Sequence, residues 1–467
     1  MRRRAINLLF MGAAALAATS LTSCSGGDTL LFLNWGEYVD ETLLDAFEEK
    51  YNCTVQMDLG ESNEIFYSKV KGGTTVYDVV CPSDYMVEKL YANDLLEELD
   101  WSLLPNVQKD DLRDYVKQIY TDMDTNLIQN LGDDYTTGTI YNYFVPYLSG
   151  TWGIMYTTEK DGIEEAVTNN SVNQWGSLFD RSTLPARTKV AMYDSANHVY
   201  NAVCKFISKT DVANAADFDC TKELSQSNLD YIESVIKKMD YNAWGTDTIK
   251  KDIVAGNIDL GFMWTGDFLY YYAENAANIC MDAYLEGDIE IGDVKNFLDV
   301  VTSDTRDYTV GKNTYSIGFD FYIPDDTVAF CDNLVIPKES AHKDLAYKFI
   351  DFMSSDSALI DEDDAESEVT PAFSNTYYVD YDAPYNYLYD ELVDLTSTEF
   401  TDEVAAEFDP DDGDPYDSDL YWLFYDYVIG VSFDKYYPKN EIKGSILAMF
   451  DRKYVNKINT TLNNARV

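Results

Sequence analysis

Hydrophobic and polar positions change period repeatedly along the first hundred residues. Leu30–Leu33 is a solid apolar run, read as a short buried strand. Behind Asp40, which can cap a helix, Leu43, Leu44, Phe47 and Tyr51 recur at helical spacing. Thr54–Met57 reads as a second strand, Ser62–Val70 as a helix and Tyr77–Cys81 as a third strand. Pro82 and Ser83 end that strand, and a helix follows from Tyr85. The style returns later: strand Lys189–Tyr193, helix Ser195–Ile207, and strand Ile258–Trp264 running into a helix near Gly266. Thr327–Ile336 is a long strand stopped by Pro337. Ser340 is expected to cap the next helix, whose one face carries Leu345, Phe349, Ile350 and Met353. Such alternation predicts α/β architecture with parallel sheets. Ligands of such sheets bind at the carboxyl ends of the strands, here the loops Asn34–Tyr38 and Pro82–Tyr85.

Three stretches break the pattern: the polar, helix-like Asn106–Thr139, the mixed acidic Tyr284–Phe321, and Tyr377–Tyr436, rich in Asp and Tyr. They read as insertions on two α/β lobes between which the chain crosses more than once. The expected division puts 28–148 and 268–336 in a first lobe. It puts 149–267 and 337–467 in a second lobe, with the insertion 377–436 on it.

The amino terminus adds a location. Arg2, Arg3 and Arg4 precede an apolar run from Ile6 to Leu21, then Thr22, Ser23 and Cys24. This is a secretory signal, residues 1–23, ending in a lipoprotein box; Cys24 would be lipidated and become the mature terminus. The expected place of work is therefore extracytoplasmic, on the cell membrane. The apolar run is too short and wrongly flanked to span a bilayer. With 467 residues there is ample chain for two or three cores, and aromatics at 14% argue against global disorder. The net charge of -49 repels nucleic acid and anionic lipid and favours cationic ligands, although solubility alone also accounts for it. Six cysteines besides Cys24 permit disulfides or buried thiols. His198 and His342 are the only two histidines, so no multi-histidine metal site is possible. The run Asp409–Asp419 fails the EF-hand pattern and reads as a solvated acidic loop. There is no P-loop, GxSxG or HExxH; no cofactor and no metal are expected.

Six pieces carry a resemblance: FLNWGEYVDETLLDAFEEKY, ESNEIFYSKV, YDVVCPSDYMVEKL, VPYLSGTWGIMY, IDLGFMWTGD and FCDNLVIPKESAHKDLAYKFIDF. In content and order they resemble the polyamine-binding (spermidine/putrescine) lipoproteins of ABC importers. The resemblance implies a two-lobe periplasmic-binding-protein-like fold of type II with a ligand cleft between lobes. It further implies a monomeric receptor that closes on a small cationic ligand and hands it to ABC permease subunits. No nucleic acid is expected as a partner.

A polyamine needs carboxylates for its ammonium groups and flat aromatic walls for its methylenes. By resemblance Trp35, Glu37 and Tyr38 line the cleft from the first loop, with Trp35 alternatively a packing residue at the hinge. Ser83, Asp84 and Tyr85 come from the second; Ser83 could equally cap the helix after it. Trp264 and Asp267 would supply an indole wall and a carboxylate, or Asp267 a helix cap. Asp332 lies in an otherwise apolar strand, where a carboxylate is costly unless paired, whether with a ligand ammonium or an internal cation. Phe330 would face the same side, and Trp244 is a further, loosely placed aromatic. The family's acidic motif after the second-lobe strand reads DSANHVY here. Asp194 keeps the first acid, while Asn197 and His198 replace glutamates. Neutral His198 could accept from an ammonium; protonated it would repel one. Two other classes stay open from the residues: a surface hydrolase using Asp/Glu pairs, and an adhesion or scaffolding lipoprotein using the Tyr- and Asp-rich insertions.

Overall fold

The computed structural model describes residues 28–169, 174–210, 213–246, 248–361, 364–410, 413–437, 446–447, 450 and 452–466. The expected signal segment and Cys24 lie outside these residues. Apolar runs become strands where expected. β1 (Thr29–Asn34) sits between β2 (Thr54–Leu59) and β3 (Val79–Val80), all parallel. The intervening helices, Glu41–Tyr51 and Asn63–Gly72, are capped by Asp40 and Ser62, whose side chains accept from Thr42 N–H and Ile65 N–H. Leu43, Leu44 and Phe47 are the buried face of the first.

β4 (Val145–Thr157) joins the lobes. All thirteen of its residues are buried. Its first half pairs with β11 (Ala329–Leu334), which backbone bridges tie to the end of β3 at Val80–Val335. Its second half enters another sheet in the order β10-β4-β7-β5-β6, made of β5 (Val190–Tyr193), β6 (Ala243–Gly245), β7 (Leu260–Trp264) and β10 (Phe319–Tyr322). A hairpin of β8 (Tyr308–Val310) and β9 (Asn313–Tyr315) stands apart. One strand thus runs through both α/β lobes, and the carboxyl ends of β1, β5, β6 and β7 lie near the junction.

The packing divides the chain differently from the expected boundaries. Residues 265–322 stay with the second sheet, because β10 pairs with the far half of β4 and the helix Thr265–Leu285 packs against the helix Asp419–Tyr436. The helix Lys343–Met353 belongs to the first lobe, with Phe349 5.0 Å from Phe32 and 5.1 Å from Phe47. Ser340 does not cap it: the cap position is His342, and the Ser340 hydroxyl donates to buried Asp78 at 2.7 Å. Nor is Tyr377–Tyr436 a peripheral insertion. Residues 380–383 thread between the lobes, and the segment beyond supplies the core of the second.

A buried ion pair holds that thread. The Arg113 guanidinium bonds Asp382, both wholly buried, and donates to Tyr437 O at 2.6 Å. Tyr115 also donates to Asp382, and Ser149 of β4 exchanges two backbone hydrogen bonds of 2.9 Å with it. The six described cysteines are free thiols. In the acidic run, Asp411 and Asp412 lie outside the described residues; Asp414 and Ser418 serve as caps. Among the described residues no helix is long and apolar enough to cross a membrane.

Candidate functional site

The first-lobe wall is built on β11. The pairing of β11 with β4 shifts register between Asp332 and Asn333, where β4 carries one extra residue, Tyr147. Asp332 is 5% exposed. Tyr38 donates to its Oδ2 at 2.8 Å, while Oδ1 is buried without a hydrogen-bond partner among the described residues. Burial pushes the Asp332 carboxyl up to about 6, with the nearby Ser83 and Tyr38 hydroxyls pulling the other way. Among the described residues no cation pairs with this acid, so its ionised form is buried with its charge uncompensated.

The loop after β3 supports this acid. Ser83 occupies the cap position of the helix Asp84–Ala92 without making the cap bond. Asn63 holds it instead, donating to Oγ at 2.9 Å and accepting from its N–H at 3.0 Å. Asp84 is committed to backbone: its oxygens accept from Tyr85 N–H at 2.6 Å and Cys331 N–H at 2.9 Å. Burial raises it to about 7 against those bonds. Asp84 therefore pins β11 beside the loop. Tyr85 is buried next to it. Trp35 packs on Phe66 at 4.4 Å, half-buried, with Nε1–H unpartnered among the described residues. Glu37 is exposed in the left-handed region, φ 53°, a strained conformation for a non-glycine at a loop tip.

The second-lobe wall is aromatic. Trp264 meets Tyr193 edge-on at 4.2 Å, and His198 lies 5.4 Å from both rings. Desolvation among these rings and Trp152 lowers His198 to about 3, so it is neutral, with Nδ1 2.7 Å from Ser195 Oγ. Asp267 is no cap, since Trp264 holds that position; its Oδ1 accepts from Lys250 Nζ at 2.7 Å. Glu37 of the facing lobe lies 4.0 Å from the same Nζ. Asp194 is partly exposed and paired with Arg466, whose guanidinium also covers Trp244 at 4.6 Å.

Tyr381 stands between the walls. Its ring is 5.0 Å from Tyr38 and 6.3 Å from Phe330, and Asp267, Asp332 and Tyr193 all act on its hydroxyl. A side chain at Gly266 would collide with that ring at 2.3 Å, so glycine lets the second-lobe loop close on it. Of the residues read from the sequence, Tyr38, Phe330, Asp332 and Asp267 gather around Tyr381 and Trp264 packs with His198, whereas Asp84 and Tyr85 are buried within the first lobe and Asp194 and Trp244 lie against Arg466. Tyr381, Lys250 and Arg466 were not read from the sequence. Tyr381 is one of 38 tyrosines in a run without period, and nothing in the spacing singles out the two cations.

The model of the bacterial extracellular solute-binding protein family matches residues 42–375, well over half of the chain. The chain belongs to this family. Its members capture solutes and are not enzymes, which removes the hydrolase alternative. Among curated relatives, spermidine/putrescine-binding periplasmic protein 1 of Haemophilus influenzae is 27% identical over 53% of this chain and 60% of its own length. The spermidine/putrescine-binding periplasmic protein of Salmonella typhimurium is 26% identical over 57% and 66%. The chain therefore spans under two thirds of the length of these relatives. A putrescine/cadaverine-binding protein of Pseudomonas aeruginosa is 26% identical over 70% and 75%. Among solved structures, a putative spermidine/putrescine ABC transporter protein from Listeria monocytogenes superposes with a TM-score of 0.56 at 19% identity, covering 94% of this chain and 99% of that one. The Tp0655 lipoprotein of Treponema pallidum gives 0.53 at 18%, covering 94% and 99%. These superpositions establish the two-lobe fold of this solute-binding protein.

Proposed function

We propose that this solute-binding protein captures a polyamine, putrescine or spermidine, by closing its lobes and delivers it to an ABC permease. A lipid on Cys24 would hold it, as a monomer, at the outer face of the membrane. The observation that carries the reading is Asp332: a buried carboxylate with one oxygen unpartnered among the described residues, near the rings of Trp35, Tyr38, Trp264 and Tyr381. An ammonium supplies what that oxygen lacks, through a charge-assisted bond of about 1.5–3 kcal/mol. The rings take the methylenes and attract the charge by about 0.5–2 kcal/mol each. The amines for which the curated relatives are named agree with this chemistry. Because the walls come from different lobes, a ligand touching both favours the closed state by differential contact.

Isothermal titration of the chain starting after Cys24, with putrescine and then spermidine at about pH 7, tests the reading. Saturable one-to-one binding is expected. No heat with either amine would move the ligand to another solute. Trp264→Ala is expected to weaken the amine by about 0.5–2 kcal/mol, the worth of one aromatic wall. Retained affinity would make that indole packing alone. Binding also depends on pH with a definite sign. The ligand needs ionised Asp332, so affinity is level above the raised value and falls as pH drops through about 6. The limiting slope is about tenfold per pH unit. A flat titration down to about pH 5 would take Asp332 out of the contact.

A further inference from the structure

The second lobe presents two carboxylates to the cleft, and this chain covers both with its own cations. Lys250 Nζ lies 2.7 Å from Asp267 and Arg466 is bonded to Asp194. Asp332 in the first lobe has no such partner among the described residues. The two covered acids differ. The Asp194–Arg466 pair is partly open to water, with side-chain exposures of 42% and 26%, whereas Lys250 and Asp267 are at 8% and 16%. Lys250 projects from the helix Thr248–Val254 of the second lobe, and its ammonium also faces Glu37 of the first. It is a primary ammonium on a methylene chain, held between an aspartate and a glutamate from opposite walls. That is the chemistry of one end of a diamine.

We propose that Lys250 is a tethered competitor for the ligand's second ammonium, so that a polyamine reaches Asp267 only by displacing it. This rests on the amine-receptor reading above and adds what sets affinity within it. A buried pair resists opening, because the freed lysine must find water while the carboxylate is re-paired. The ligand's first ammonium, at Asp332, meets no such competitor. The cleft therefore binds a diamine less tightly than its carboxylates and rings would otherwise allow. Lys250 also lends the ligand-free form a contact across the lobes through Glu37.

The test is titration of putrescine into wild type, Lys250→Met and Lys250→Gln, each checked for cooperative thermal unfolding; the Gln variant keeps a polar group if Met disturbs the fold. Either substitution is expected to raise putrescine affinity by about tenfold or more, the scale of one charge-assisted contact made available. The gain should vanish when Asp267→Asn is already present, since the site contested is then gone. Putrescine affinity unchanged or lower in both lysine variants overturns the proposal and leaves the receptor reading standing. No binding of putrescine or spermidine to wild type or variants overturns the amine-receptor reading, and this proposal with it.

Discussion

Asp332→Asn should abolish most amine binding while leaving the empty protein at least as stable as wild type. The substitution preserves shape and removes one negative charge from a buried position. Truncating one partner of a desolvated charge pair costs about 2–5 kcal/mol, and under the proposed reading Asp332 makes its ion pair with the ligand, since no cation pairs with it among the described residues. The stability half follows from the raised carboxyl. Its folded value, about 6, stands above the unfolded one, so ionised Asp332 costs stability. The cost is absent below the ordinary carboxylate range, grows as pH rises towards 6, and is complete above it. At neutral pH asparagine removes that cost. Titration calorimetry and a thermal melt of the ligand-free variant check both halves. Wild-type affinity in the variant would remove Asp332 from the site. Lost affinity with a much lower melting temperature would make it a structural residue instead.

Arg113→Met is expected to cost about 3–5 kcal/mol of folding stability, the scale of leaving one member of a buried pair uncompensated. Asp382 would remain wholly buried with Tyr115 and backbone but no cation. The loss should be largely recovered by adding Asp382→Leu, because paired replacement of a buried ion pair by apolar groups is often neutral. Denaturant unfolding of the wild type, the single and the double variant reads this directly. A single variant within about 1 kcal/mol of wild type would show that the pair adds nothing. The pair also sits one residue from Tyr381, on the thread between lobes. The single variant should therefore weaken amine binding even where it remains folded.

The strands and helices near the amino terminus were legible because each carries its own instruction. A run such as Leu30–Leu33 has only an interior to go to, and Asp40 meets the free N–H groups of the turn it precedes. Asp332 was legible for the opposite reason: a charge among apolar residues is out of place unless something pairs with it. Ser340 misled because a hydroxyl before a helix has two uses, and Asp78, far away in the chain, claimed it. The lobe boundaries were misplaced for a similar reason. The pattern in Phe319–Tyr322 says strand but not which half of β4 it joins, and only pairing with Ile154–Thr157 puts it in the second sheet.

By itself, then, the sequence determined the α/β class, the run of elements and the family pieces, and it named the acids and rings from which the proposed site is drawn. These depend on local period, on caps and on residue chemistry, all carried within a few positions. Tertiary structure alone decided that Tyr381 comes back from a distant segment to stand between the walls. It alone decided that Arg113 and Asp382 meet in the interior, and that Lys250 and Arg466 pair with Asp267 and Asp194. A lysine reads the same in a sequence whether its ammonium faces water or an aspartate. The difference is set by which surfaces the closed sheets bring within about 3 Å of each other, and no local pattern encodes that distance.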